Sequence, residues 1–99
     1  MRPIRWATLD KRRPVLVLTR DLMVGRMSTV TVAPVSGTIH GIATEVLVGP
    51  SNGLPQASAV KCDQIVSIPV DQIQEQCGWL LDAQEPGLHE AVQAAFDLV

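Results

Sequence analysis

Two polar residues stand at the ends of predicted strands and are the strongest candidates for chemistry. Arg13 precedes Pro14 and an aliphatic run that is typical of a buried strand. Proline is tolerated at the first residue of a strand and pushes the preceding residue toward extended geometry, so Arg13 is predicted to be a fixed cation at the edge of a core. Ser36 ends a segment in which threonine and valine alternate, as in a strand with one wet face. A guanidinium held in this way is suited to binding an anion.

The remaining polar candidates are few, and several classes of site are not supported. The further candidates are Thr19, Thr38, His40 and Gln64. The two histidines are far apart in the chain, the two cysteines form no Cys-x-x-Cys motif and the carboxylates are scattered, so the sequence predicts no metal site. The nucleophile-elbow, phosphate-loop and dinucleotide motifs are absent as well, and no cofactor is predicted.

The charges of the chain are distributed unevenly. Residues 1–26 hold seven of the eight cations against Asp10 and Asp21, a net charge of +5, whereas residues 27–99 hold Lys61 and eight acids, a net charge of −7. A cationic end on an acidic body fits a focused site for an anion, and it equally fits a solvated charged rim. The overall acidity argues against non-specific coating of nucleic acid.

The elements that must position these residues are mostly short strands. Strands are predicted over residues 4–9, 14–19, 29–36, 44–48, 57–62, 64–68 and 79–81, with a turn over 10–12, an irregular stretch over 21–26 and loops over 37–41 and 49–55. Trp6 is predicted to anchor the first strand in the core more readily than to stack on a ligand. Pro34 predicts that the third strand ends nearby or lies at an edge.

The C-terminal segment has the apolar period of a helix. One stripe is formed by Leu88, Ala91, Val92, Ala95, Phe96 and Val99. Asp82, three residues before Glu85, resembles a capping box, and Pro86 is tolerated in a first helical turn. Several short strands followed by one helix predict a mainly β fold, a small and strongly bent barrel. The 99 residues are predicted to form a single domain, 1–99.

The sequence also predicts the compartment. It has neither the apolar core of a signal peptide near its start nor a stretch typical of a transmembrane helix. Cys62 and Cys77 are predicted to be buried free thiols in a reducing environment rather than a disulfide. These features predict a soluble cytoplasmic protein without a membrane partner.

Two blocks around Arg13 and Ser36 resemble a known family. The block Arg-Pro-Val-Leu-Val-Leu-Thr at residues 13–19, followed by Thr-Val-Ala-Pro-Val-Ser at 31–36, resembles MazF-type toxins, the endoribonucleases of bacterial toxin–antitoxin pairs. Residues 6–9, 62–68 and 88–99 resemble that family's first strand, a later strand with a Gln-Ile pair and the terminal helix. The chain departs from the family in its short connection at residues 10–12 and in having serine at position 36, where threonine is common.

The resemblance implies a structure and a set of roles. It implies an SH3-like barrel of the CcdB/MazF type, a homodimer, metal-independent cleavage of single-stranded RNA and inhibition by a cognate MazE-type antitoxin. Attack by the RNA 2′-hydroxyl would leave a 2′,3′-cyclic phosphate and a 5′-hydroxyl. Arg13 would stabilise the transition state and Ser36 would bind a non-bridging oxygen, while no general base is evident and His40 is a weak candidate. The RNA-binding candidates are Lys11, Arg12, Thr19, Thr38 and Gln64.

Each assignment has a simpler structural alternative. Arg13 would form only a rim ion pair with Asp10 or Asp21, Ser36 would only cap a loop, and the cations at positions 11 and 12 would belong to a solvated turn. At the level of the whole protein, the alternative is a non-enzymatic CcdB-like toxin that binds DNA gyrase. An SH3-like adaptor is less well supported, because three aromatic residues are too few for a peptide-binding groove.

Overall fold

Seven strands curl into one antiparallel sheet that is followed by a helix. The computed structural model describes residues 1–20 and 26–98. The strands are β1 (Arg2–Thr8), β2 (Arg12–Val17), β3 (Thr29–Ser36), β4 (Glu45–Val48), β5 (Ser58–Lys61), β6 (Val66–Pro69) and β7 (Ile73–Leu80), and the helix is α1 (Glu85–Phe96). The expected class, a mainly β and strongly bent sheet with a C-terminal helix, is confirmed.

The long strand β3 organises the sheet. The strand order is β4-β5-β3-β2-β1-β7, and β6 pairs with β3 outside that path. Along the edge of β3 away from β2, β6 pairs with residues 29–32 and β5 with residues 35 and 36. Pro34 lies in the gap between these two partners, where its missing N–H interrupts neither ladder. Pro34 therefore marks the change of partner, and the strand continues to Ser36.

The sheet has an apolar cluster on each face. In β2, Leu16 belongs to the cluster that α1 covers, and Val15 and Val17 belong to the cluster on the other face. All three side chains are buried, which explains why β2 reads as an unbroken aliphatic run instead of an alternating one. The helix adds Leu88 and Ala91 to the first cluster.

The start and the outer end of α1 differ from the predictions. The proposed capping box of Asp82 and Glu85 is wrong: a short 3₁₀ turn spans Asp82–Gln84, α1 has no side-chain cap, and the Glu85 carboxylate binds Arg2 instead. Phe96, expected on the buried stripe, is 54% exposed. Val99 lies outside the described residues.

Several predicted strand boundaries in the C-terminal half of the chain were wrong. β7 has eight residues in place of the three predicted, because its first half is rich in glutamine and glutamate and lacks an apolar signal. Residues 62–64 form a 3₁₀ turn, so β6 begins at Val66 instead of Gln64. The irregular stretch expected over residues 21–26 lies mostly outside the described residues.

The loop between β4 and β5 packs closely against β7. Asn52 is buried, and its side-chain amide donates to the main-chain oxygen of Trp79 (2.8 Å) and to Oε1 of Gln84 (2.6 Å). A Cβ atom added to Gly78 would lie 2.0 Å from the main-chain oxygen of Asn52. Glycine at position 78 is therefore required for this approach of the loop.

Both cysteines are free thiols, as predicted. Cys62 is fully buried, and this burial, together with the negative charge of Asp63, raises the pKa of its thiol to about 11. Cys77 is half-buried and its thiol donates to the main-chain oxygen of Ile4. No helix within residues 1–20 and 26–98 has the length and apolarity needed to cross a membrane.

Candidate active site

Arg13 and Ser36 stand at adjoining ends of the paired strands β2 and β3. Val15 of β2 is paired with Pro34 of β3 in an antiparallel ladder. The recorded pairs end there, and Arg13 and Ser36 each lie two residues further along their strands. The two candidates, 23 positions apart in sequence, therefore stand at adjoining ends of two paired strands.

Arg13 is partly held by the protein and partly unsatisfied. Its Nη2 donates to Oδ2 of Asp10 at 3.0 Å, so the simpler ion-pair alternative is present in the structure. The Arg13 side chain is 21% exposed and that of Asp10 is 72% exposed, so solvent screens the pair and an incoming anion can compete with it. The Arg13 Nε is buried and has no hydrogen-bond partner among the described residues. Because Nε is buried, it adds no donor at the surface, and an incoming anion must compete with Asp10 for the guanidinium.

Ser36 has a hydroxyl whose acceptor side is occupied. The main-chain N–H of Thr38 donates to Ser36 Oγ at 3.1 Å, a local turn that matches the simpler loop-cap alternative. Because Oγ accepts this bond, the hydroxyl proton remains available for donation to another group. A loop cap and a donor to substrate are therefore compatible roles for the same side chain.

The loop after Ser36 is anchored by a buried ion pair that was not predicted. Lys61 Nζ and the Glu45 carboxylate form an ion pair, and their side chains are 6% and 2% exposed. The carboxylate also accepts main-chain N–H groups of His40, Gly41 and Ile42. The bond from Lys61, followed by these N–H donors, outweighs burial and lowers the pKa of Glu45 to about 2. A signal existed in the sequence: Lys61 is the lone cation in a predicted strand of otherwise uncharged residues.

The two cations before Arg13 differ in their surroundings. Lys11 is exposed. Arg12 is exposed too, but its guanidinium pairs with Glu75, donates to Oε1 of Gln74 at 2.7 Å and lies 4.4 Å from the ring centroid of Trp6. Trp6 is therefore not a simple core residue: it is half-buried beneath a guanidinium, beside a cavity of about 250 Å³.

The other candidate residues are only partly brought together. Thr38 lies two residues after Ser36, and its side chain is exposed. His40 is exposed as well, in the loop that Glu45 anchors. Gln64 is exposed at the end of the 3₁₀ turn Cys62–Gln64. Thr19 lies six residues beyond Arg13, about 20 Å along an extended chain, and its hydroxyl accepts the main-chain N–H of Thr31 at 2.8 Å.

The titratable side chains of the described residues are not arranged as a metal site. In the described part of the chain, histidine, cysteine, aspartate and glutamate form no group of three or more that could hold a metal ion. The two strand ends present a partly exposed guanidinium and a hydroxyl that already accepts one hydrogen bond and can donate its proton. Such a pair can bind two oxygens of a phosphate group and stabilise negative charge that develops on them.

Comparison with known proteins identifies the family of this chain. The model of a family described as PemK-like, MazF-like toxin of type II toxin–antitoxin system matches residues 3–96. The chain belongs to this toxin family. Endoribonuclease MazF3 of Mycobacterium tuberculosis is 53% identical to this MazF-like toxin over 98 residues, which cover 99% of the chain and 95% of the relative. The probable endoribonuclease MazF5 of the same species is 38% identical over 87% of the chain and 80% of the relative.

Solved structures agree with this assignment. The Mycobacterium tuberculosis toxin MazF-mt6 matches this MazF-like toxin with a TM-score of 0.95 and 52% identity, covering 98% of each chain. An endoribonuclease in complex with its cognate antitoxin, from Mycobacterial species, matches with a TM-score of 0.86 over 98% of the chain and 93% of its own. At 21% identity, that second likeness concerns the fold alone. The family match does not favour the gyrase-binding alternative.

Proposed function

We propose that this MazF-like toxin cleaves single-stranded RNA at the Arg13–Ser36 site through attack by the RNA 2′-hydroxyl, without a divalent metal. The chain is an endoribonuclease toxin of a type II toxin–antitoxin system by its family. The observation that supports the site is the pairing of β2 with β3, which puts a partly exposed cation and a hydroxyl with a free proton at adjoining strand ends.

The reaction requires little from the protein because RNA carries its own nucleophile. The 2′-oxygen forms a bond to the adjacent phosphorus and loses its proton, while the bond from phosphorus to the 5′-oxygen breaks. The departing 5′-oxygen takes up a proton, so the products are a 2′,3′-cyclic phosphate and a 5′-hydroxyl. Negative charge develops on the non-bridging oxygens in between, and stabilising that charge is the main task of the site.

Arg13 and Ser36 suit that task in different ways. The guanidinium of Arg13 stays charged at neutral pH and offers two parallel N–H donors to phosphate oxygens. A guanidinium holds its proton too tightly to be a good general acid, so electrostatic stabilisation is the first role of Arg13. Ser36 donates its free hydroxyl proton to a non-bridging oxygen. This division gives Arg13 the larger share of the transition-state stabilisation.

RNA binding beyond the scissile phosphate is assigned to exposed polar side chains around the site. Lys11 is available for a phosphate contact, whereas Arg12 must first exchange Glu75 for the phosphate. Thr38 and Gln64 are exposed and suited to contacts with the RNA backbone or a base edge. Thr19 lies beyond the far end of β2, and its hydroxyl already accepts the main-chain N–H of Thr31, so we assign it a contact with a distant nucleotide or none at all.

The proposed partners are a second copy of the chain and a MazE-type antitoxin. Solved MazE–MazF complexes from Deinococcus radiodurans share the fold, with a TM-score of 0.81 for one of them. Leu47, Trp79 and Leu98 are large apolar side chains that are 62%, 42% and 58% exposed, as expected for surfaces that a partner covers. We place the activity in the cytoplasm, because that compartment holds the RNA substrate.

One experiment tests the proposed chemistry directly. Purified protein is incubated with a defined single-stranded RNA in excess chelator, and the ends of the products are analysed. We expect cleavage, with cyclic-phosphate and 5′-hydroxyl ends. The same RNA with a 2′-deoxy sugar at the scissile position serves as the matched control and remains uncut. Cleavage of the deoxy substrate, or a strict requirement for magnesium, would exclude this mechanism.

A further inference from the structure

The buried ion pair of Glu45 and Lys61 is connected to the hydroxyl of Ser36 by a short chain of hydrogen bonds. Lys61 Nζ donates to the main-chain oxygen of Thr38 at 2.6 Å. The main-chain N–H of the same residue donates to Ser36 Oγ at 3.1 Å. The peptide units on both sides of Thr38 are therefore held between a buried ammonium group and the proposed catalytic hydroxyl.

The other end of the pair fixes the rest of the loop. The Glu45 carboxylate accepts the main-chain N–H of Gly41 at 2.8 Å and that of His40 at 3.1 Å. β4 and β5 place Glu45 opposite Lys61 in their ladder, so the anchor belongs to the sheet and not to the loop. Residues 38–42 are thus attached to a rigid element at two points.

Stability alone does not account for this pair. Burying two charges is expensive, and well-packed apolar residues in place of a buried ion pair are often neutral or stabilising. Lys61 stands in β5 among small or apolar residues, and Leu47 and the two valines of β4 accompany Glu45. What apolar residues would lack is the directed hydrogen bond to the loop beside Ser36.

We propose that Glu45 and Lys61 form a positioning pair, which holds the Thr38 N–H on Ser36 Oγ so that the serine hydroxyl donates its proton to the phosphate. The proposal rests on the role proposed above for Ser36. With the Thr38 N–H in place, Oγ already has a donor, and its own proton is directed away from the protein. Without this bond the hydroxyl rotates freely and fewer of its orientations stabilise the transition state.

The pair itself does not contact substrate, because both side chains are almost fully buried. Its loss therefore lowers kcat and leaves KM for RNA nearly unchanged, the behaviour of an interaction expressed only in the transition state. A purely structural role predicts a different result, in which activity is lost only in proportion to the unfolded fraction.

The test is a double-mutant cycle. Glu45→Gln with Lys61→Met removes both charges together, so no unpaired charge stays buried, and it keeps an amide acceptor for the loop while removing the donor to Thr38. We expect kcat to fall about tenfold when Ser36 is present and less than about twofold in the Ser36→Ala background, because contacting groups are not additive. Equal losses in both backgrounds, or no loss with Ser36 present, would overturn the proposal.

A second pair of variants covers the case in which the double variant does not fold. Thr38→Pro removes the N–H that donates to Ser36 Oγ and leaves the ion pair untouched, whereas Thr38→Ala keeps the N–H and removes the side chain. The proline variant should reproduce the tenfold loss of kcat relative to the alanine variant. Equal kcat for the two would contradict the proposal.

Gln84→Met is the control for stability. Gln84 also anchors a loop from a partly buried position, with bonds to Asn52, Leu81 and Leu47, but it has no connection to Ser36. Assayed well below its melting temperature, this variant should keep its kcat. If Ser36→Ala itself retains full activity, the proposed function of Ser36 fails; if Ser36→Ala is impaired and the cycle is additive, only the positioning role fails.

Discussion

At the scale of single residues, Arg13 has the environment that its proposed role requires. Asp10 restrains the side chain without burying the ion pair, and the Nε atom has no partner within the described structure. Replacement of Arg13 should therefore affect catalysis more than folding. A phosphate that takes the place of Asp10 gains the charge-assisted hydrogen bond from Nη2 that Asp10 now accepts.

The first prediction concerns this guanidinium. Arg13→Ala should lower the rate of RNA cleavage about 100- to 1000-fold, the usual effect of losing one well-placed donor to a transition state. Arg13→Lys should not restore the rate, because an ammonium group cannot make the forked contact. Single-turnover cleavage measures the effect, and thermal unfolding serves as the control. Full activity of the alanine variant at unchanged stability would refute the assignment.

Ser36 gives the second prediction, with a smaller effect. Ser36→Ala should reduce kcat in the same direction as Arg13→Ala but less steeply, because a neutral hydrogen bond stabilises developing charge less than a cation does. Ser36→Thr keeps the hydroxyl and should retain most of the activity. The ratio of the two kcat values is the measurement. An alanine variant as active as the threonine variant would leave the hydroxyl without a role.

At the scale of elements, the close packing of the β4–β5 loop on β7 depends on one glycine. Gly78→Ala would put a Cβ atom against the main-chain oxygen of Asn52, so the loop must shift, at a cost of about 1–3 kcal/mol in the free energy of unfolding. Gly87→Ala is a matched control in α1, where a Cβ atom meets nothing within 4 Å and where alanine should stabilise by about 0.5–1 kcal/mol. Urea denaturation of both variants measures the difference, and an equal shift would contradict the packing argument.

The loop anchored by Glu45 should respond to acid. Its carboxyl has a pKa of about 2 in the folded protein against an ordinary value of 4.5, so the folded state binds fewer protons than the unfolded state between these values. The contribution to stability is complete above pH 4.5 and is lost as the pH falls toward 2. The protection of the amides of residues 40–42 from hydrogen exchange, taken relative to the intrinsic exchange rate at each pH, should decrease over that range. Protection of these amides that does not change between pH 4.5 and pH 2 would show that the carboxylate does not hold the loop.

The limits of prediction are visible in the same elements. Strand β3 was predicted with its observed boundaries because threonine and valine alternate over its first half and apolar residues continue to Ser36, whereas the first half of β7 was missed because it is mostly polar. That Arg13 and Ser36 stand at adjoining strand ends depends on how β2 pairs with β3. The sequence suggests this pairing only through the family resemblance of the two motif blocks. The Glu45–Lys61 pair joins residues 16 positions apart on different strands, and no local pattern reveals such a contact.

At the scale of the whole molecule, the uneven charge of the sequence is partly neutralised by folding. Arg2 pairs with Glu85 and Arg12 pairs with Glu75, so two cations of the N-terminal segment are bound to acids of the C-terminal half. Lys11 and Arg20 remain exposed. The cationic surface that RNA meets is therefore smaller than the sequence suggests, and Lys11 is its exposed member next to Arg13.

This surface is expected to serve RNA and the antitoxin alike. A flexible acidic segment of an antitoxin and an RNA strand are both polyanions, so they should compete for the toxin, and both affinities should fall as salt increases. Lys11→Gln should weaken both ligands. Ala94→Glu changes the net charge by the same amount at an exposed position of α1. This control variant should leave RNA affinity unchanged. Fluorescence titrations of labelled RNA, with and without antitoxin, measure these effects. A ternary complex with undiminished RNA affinity would disprove a shared surface. Separately, light scattering measures the oligomeric state, and a monomer at micromolar concentration would remove the second copy from the proposal.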